Sequence, residues 1–214
     1  MELFESTIDW TEKLQPIIEK YKGKKHPLNY ENLYQLMVAV ILSAQDSDAN
    51  INKITPAFFA QFPNLETLST VTVDDLFPYV SKVRNFNTKS SWLIEIAQTV
   101  KTNDNIPTNL NDLIALKGIG RKSANVIMRE MNVAPEGIIA DLHVIRVAPR
   151  IGLILESKDG NKIEKELMKF LPKEIWSEIG MAISFLGREI CRPTNPKCSE
   201  CPICKDCLYP HKSN

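Results

Sequence analysis

Apolar residues recur along this chain at intervals of three and four. Leu33, Leu36, Met37, Val40, Ile41 and Ala44 share one helical face at i, i+3, i+4, i+7, i+8 and i+11. Trp176, Ile179, Ile183, Leu186 and Ile190 repeat that spacing, and Ile163, Leu167, Phe170 and Leu171 form another stripe. Trp92, Ile96 and Val100 suggest one more, opened by Ser90-Ser91. Short polar or proline-bearing breaks separate the stripes: HPLNYEN, QFPN, TNDNIPTN, NVAPEG and LPKE. Strand-type alternation never persists beyond a few residues. The pattern predicts about seven to ten helices with short connections, and hence an all-α fold.

Composition adds bounds rather than identity. A chain of 214 residues suffices for one large domain or two small ones, and 43% hydrophobic with 24% charged residues describes an ordinary globular protein. The start MELFESTIDW is acidic and has no basic n-region, which argues against a targeting peptide. No apolar run approaches the ~18 residues a bilayer requires. A cytoplasmic protein without membrane association is expected. Lys plus Arg and Asp plus Glu are equal at 26 each, so net charge gives no sign of a nucleic-acid partner. The distribution changes that picture: Lys117, Arg121, Lys122, Arg129, Arg146 and Arg150 outnumber Glu130, Glu136 and Asp141 over residues 117–150. A local basic face on a neutral protein can bind phosphates.

Candidate chemistry concentrates at two places. Cys191, Cys198, Cys201, Cys204 and Cys207 are all the cysteines of the chain. A disulfide framework would spread them out, whereas clustering favours a soft metal centre, either tetrahedral zinc or an iron–sulfur cluster. Spacing leaves open which four bind. C-x6-C-x2-C-x5-C and C-x2-C-x2-C-x2-C are both present, with Cys204 or Cys191 as the spare.

The second place is LKGIGRKSA, where Gly118 and Gly120 allow two helices to join through a tight turn with exposed amides. An unperturbed lysine is neutral only about one part in a thousand near neutral pH, so a nucleophilic one needs its ammonium destabilised. Arg121 and a helix N-terminus both act in that direction on Lys122. Asp141, between Ile138-Ile139-Ala140 and a helical Val144-Ile145-Val147 stretch, reads as an N-cap. Capping is compatible with catalysis, because amide donors favour an ionised carboxylate that could stabilise cationic charge on a sugar.

LKGIGRKSANV, then ADLHVIRV, then C-x6-C-x2-C-x5-C resemble the endonuclease III family, the helix-hairpin-helix DNA glycosylases with a GPD-type loop and a [4Fe–4S] cluster. The resemblance reaches back through LMVAVILSAQDSDANINKITP and NFNTKS and covers roughly residues 30–207. It implies a six-helix barrel at 27–134, ending in the hairpin, and a discontinuous iron–sulfur domain of 1–26 with 135–214, with a DNA cleft between them. It picks Cys191, Cys198, Cys201 and Cys207 as ligands and leaves Cys204 spare.

The implied activity is base excision repair of duplex DNA carrying damaged, oxidised-pyrimidine or abasic sites, by a monomer associated with the nucleoid if bacterial. Lys122 would attack C1′ of the flipped nucleotide and form a Schiff base that permits β-elimination, with Asp141 assisting. Gln45 would fill the gap left by the base. Asn85, Lys89, Lys117, Gly118, Gly120, Arg121 and His143 would contact DNA, and a monovalent cation could sit on the hairpin carbonyls. Arg84 and Asn85 stand where the family usually has a glycine and a bulky apolar wedge, and Asp46 and Asp48 add acidity after Gln45. Two rival readings are a monofunctional mismatch glycosylase of the same fold, against which Lys122 argues, and a non-catalytic iron–sulfur DNA-binding protein.

Overall fold

The computed structural model describes residues 9–210, so residues 1–8 of the acidic start lie outside the described residues. These contain α1 (Trp10–Tyr21), α2 (Leu33–Ser43), α3 (Asp48–Gln61), α4 (Leu65–Leu68), α5 (Val73–Val80), α6 (Phe86–Val100), α7 (Leu110–Ala115), α8 (Arg121–Glu130), α9 (Leu142–Ile151), α10 (Gly160–Phe170) and α11 (Trp176–Glu189). Three short 3-10 turns complete the set, and no strand occurs among the described residues. The all-α expectation holds. Helices are more numerous than periodicity alone predicts, because α4 and α7 are too short to display a 3.6-residue repeat. No helix among the described residues is long and apolar enough to cross a membrane.

The chain divides into two compact units, Lys25–Ala134 and Met1–Lys24 with Pro135–Asn214. In the first, α2 packs on α3, α6 and α8. Tyr34 and every residue from Leu36 to Leu42 are buried, so α2 is covered all round rather than along the single stripe its spacing suggested. Most helices here start at a side-chain cap: Asn32 for α2, Ser47 for α3, Asn64 for α4, Thr72 for α5 and Asn109 for α7. Each such cap contributes about 1 kcal/mol. α6 and α8 have none. α6 also begins one turn earlier than expected, at Phe86, and buries Lys89, Ser90, Leu93, Ile94, Ile96, Ala97 and Val100. Trp92 lies off this stripe and is half-buried.

In the second unit, α11 packs on α9 and α1 and buries Ile179 through Gly187. A Cβ on Gly180 would lie 2.6 Å from the Ile139 carbonyl oxygen, so only glycine lets the backbone of 138–140 rest directly on α11. Ile138, Ile139 and Ala140 are buried there, and the segment delivers Asp141 to the start of α9. Of the stripe predicted for α10, Ile163, Leu167 and Leu171 are buried but Phe170 is 57% exposed, so that one member faces out.

Candidate functional site

α7 ends at Ala115, and residues Leu116 to Gly120 turn the chain into α8. Gly118 has φ +82°, and a Cβ there would meet the Trp92 ring at 2.5 Å, so conformation and space both demand glycine. Ile119 anchors the turn at 4% exposure, its amide donating to the Leu116 carbonyl at 3.2 Å. Gly120 is the N-cap of α8 and supplies no side chain to its first amides. The first turn holds no acidic residue but does hold Arg121 and Lys122, two cations at the positive end of the helix dipole. A cation without a counter-charge at such a position costs about 0.3–1 kcal/mol.

Lys122 is exposed, and its ammonium has no hydrogen bond or ion pair among the described residues. Lys117 differs, pairing at 2.9 Å with Glu95 in an exposed contact. Such a pair contributes little and exchanges readily for another anion.

Two further turns of the same unit are tied together. Gln45 (φ 60°) and Asn85 (φ 57°) both occupy the left-handed region and are both exposed. Between them sits Asp46, whose Oδ2 accepts from the Arg84 amide at 2.9 Å. Its Oδ1 accepts from the Ser47 amide at 2.8 Å and the Asn50 side chain at 3.0 Å. Burial pushes the Asp46 carboxyl up, but these three donors and the nearby Lys89 outweigh it and hold the group below the usual carboxylate range. The acidity that looked out of place after Gln45 is thus a latch.

Lys89 requires a correction. Its side chain is 2% exposed, and its ammonium donates to the carbonyls of Leu42 and Ala44, at 2.7 Å each. It satisfies the C-terminal end of α2 and is not a surface contact for DNA. Its place on the buried stripe of α6 was the signal in the sequence.

Asp141 caps α9, Oδ1 accepting from the amides of His143 and Val144 at 2.9 Å each. Oδ2 accepts from the Ser184 hydroxyl at 2.6 Å and lies 3.7 Å from the Arg188 guanidinium. Sequence reading missed Ser184 and Arg188. A lone serine inside the buried run MAISFLG was the available hint. His143 is half-buried, with Nδ1 3.3 Å from Arg146, and Arg146 also donates to the carbonyls of Gly187 and Cys191.

All five cysteines line one apolar cavity, together with Ile151, Leu186, Ile190, Pro196 and Tyr209. None forms a disulfide. Burial pushes the Cys201 thiol up to about 11, and the neighbouring Cys207, Cys191 and Cys204 add to the rise against one backbone donor. Thiols gathered in an apolar cavity become thiolates when a metal supplies the countercharge, so this donor set fits a thiolate-held metal centre. Among the described residues no three His, Cys, Asp or Glu side chains converge on a single-ion site. Arg150 closes the near side, donating to the carbonyls of Arg192 and Pro193 and stacking on Tyr209.

The model of the HhH-GPD superfamily of base excision DNA repair proteins matches residues 38–173. Endonuclease III of Synechocystis sp. is 31% identical over 92% of this chain and 90% of its own length. Endonuclease III of Bacillus subtilis is 31% identical over 91% of this chain and 89% of its own length. A solved structure of a trapped endonuclease III–DNA covalent intermediate, an estranged-adenine complex, superimposes with a TM-score of 0.82 at 29% identity, covering 92% of this chain and 93% of that one. The chain therefore belongs to the HhH-GPD superfamily of base excision DNA repair proteins, and within it to the endonuclease III family of DNA glycosylases.

Proposed function

We propose that this glycosylase is bifunctional, acting on duplex DNA with damaged pyrimidines or abasic sites and cutting the strand through a Schiff base on Lys122. The observation that carries this reading is the start of α8: an exposed lysine without a protein partner, following an uncapped glycine turn. Lys89 shows what a lysine used by the fold looks like here: it is buried and donates to two backbone carbonyls.

In this reading the hairpin 116–122 holds the phosphate backbone through amides, with Lys117 and Arg121 adding charge. The target nucleotide is flipped out of the stack, at a cost of a few kcal/mol that is lowest for a poorly stacked lesion. Neutral Lys122 forms a bond to C1′ as the glycosidic C–N bond breaks and the base leaves with its electron pair. Opening of the sugar gives an imine. The imine acidifies the C2′ proton, whose loss expels the 3′ phosphate and cuts the strand. Asp141 stabilises cationic character at C1′, and it is held for that task by three hydrogen-bond donors on its two oxygens, with the Arg188 guanidinium 3.7 Å away.

Cys191, Cys198, Cys201 and Cys207 would hold a [4Fe–4S] cluster, which when bound fixes the loop from 191 to 207 and takes no part in the sugar chemistry. A monomer in the cell interior is the corresponding state.

Borohydride reduction tests the reading. Wild type forms a covalent adduct with duplexes bearing an abasic site or an oxidised pyrimidine, and Lys122→Ala forms none while still binding DNA. An adduct that survives in Lys122→Ala would remove Lys122 as nucleophile.

A further inference from the structure

Building on the glycosylase reading, we propose that Ser184 is a positioning residue for Asp141. Its hydroxyl holds the carboxylate ionised and fixed in direction for the step in which the base leaves.

The donor count carries the assignment. Asp141 Oδ1 already meets the amides of His143 and Val144, which is all that a helix cap requires. Oδ2 takes no part in capping, yet the Ser184 hydroxyl donates to it at 2.6 Å, the short contact a hydroxyl makes with a charged carboxylate. The direction of that bond is settled by Arg188. Its Nε donates to Ser184 Oγ at 3.4 Å, and a guanidinium accepts nothing, so the serine proton is left for Asp141. A terminal nitrogen of Arg188 also lies 3.7 Å from Oδ2. Each of these groups is a donor or a cation, and each favours the carboxylate over the acid.

The shape of α11 serves the same contact. Gly180, Ser184 and Gly187 stand at i, i+4 and i+7, and so on one face of the helix. A Cβ on Gly180 would lie 2.6 Å from the Ile139 carbonyl oxygen, and one on Gly187 would lie 2.9 Å from the His143 Cβ. The two glycines let the segment before Asp141 and the first turn of α9 close on α11. Between them on that face stands a serine, 0% exposed. A hydroxyl is costly in such a place unless it is bonded, and alanine would fill the space without that cost. The Asp141 side chain keeps 15% exposure, so the carboxylate is held without being sealed off.

The two reactions of the proposed enzyme use this carboxylate unequally. As the glycosidic bond breaks, its electrons leave with the base and C1′ becomes positive, so a fixed negative charge contributes most there. At an abasic site no base has to leave, and less charge develops. Ser184 therefore bears on base release more than on cleavage at an abasic site.

The test is a ratio of single-turnover rates within each protein: base release from an oxidised-pyrimidine duplex over strand cleavage of an abasic duplex. Ser184→Ala lowers base release about tenfold, the effect of one hydrogen bond to a charged group. It slows abasic cleavage much less, so the ratio falls. Ser184→Thr keeps the hydroxyl and restores the ratio. Urea midpoints are taken beside the rates, because a role in folding alone lowers the midpoint and leaves the ratio at the wild-type value. That result overturns the proposal, as does equal slowing of both steps in Ser184→Ala. So does a Ser184→Thr protein with the wild-type midpoint and the alanine ratio. Failure of the glycosylase reading looks different: wild type then gives no borohydride adduct with the abasic duplex and releases no base.

Discussion

The starts of α8 and α9 are the same kind of element treated in opposite ways. α9 begins at Asp141, whose two oxygens meet two backbone amides, a buried hydroxyl and a guanidinium. α8 begins at Gly120, with no side chain for its amides and two cations in its first turn. The first arrangement satisfies the fold by itself. The second leaves the Lys122 ammonium, which has no partner among the described residues, at the positive end of the helix dipole, where it costs the fold a little. The contrast separates a carboxylate held still from a lysine left available.

Substitutions can sharpen or break this contrast. The largest effect is expected on the approach to α8, where Gly118→Ala forces a Cβ to 2.5 Å from the Trp92 ring at φ +82°. Left-handed strain plus overpacking should cost about 3 kcal/mol, read as a lowered urea midpoint at unchanged m-value; an unchanged midpoint would mean the hairpin is not packed as described. Next, Asp141→Ala should cost about 2 kcal/mol, from the lost cap and the stranded Ser184 hydroxyl. If that variant is as stable as wild type, α9 is not the well-satisfied start described here.

The smallest effect has the opposite sign. Lys122→Ala, silent in borohydride trapping, should unfold at slightly higher denaturant, by about 0.5 kcal/mol, because a cation leaves the positive end of α8. Loss of stability instead would indicate that Lys122 supports the fold. Low salt should enlarge the gain, since screening weakens it.

Much of the local architecture was legible in the sequence. The breaks HPLNYEN, TNDNIPTN, NVAPEG and LPKE fall between α-helices, and QFPN starts on the last residue of α3. Asp141 is the N-cap it was expected to be, and the five cysteines do share one cavity. Other residues were misjudged for one reason. Lys89 read as a surface cation because the carbonyls that hold its ammonium lie 45 and 47 residues away, although its spacing from Leu93, Ile96 and Val100 already placed it on the buried stripe of α6. Asp46 read as stray acidity because its partner amide lies 38 residues away. Ser184 went unnoticed because its hydroxyl matters only to a carboxylate 43 residues earlier.

What the sequence determined by itself lies within a few residues of chain: helical periodicity, capping side chains, glycine turns and clustered thiols. These interactions act over one or two turns of backbone, so spacing alone reveals them. Tertiary packing alone decided that Lys89 supports the end of α2, that Asp46 joins the turns of Gln45 and Asn85, and that Ser184 steadies Asp141. A buried hydroxyl, ammonium or carboxylate must find partners wherever the fold brings them, and their separation along the chain carries no local signature.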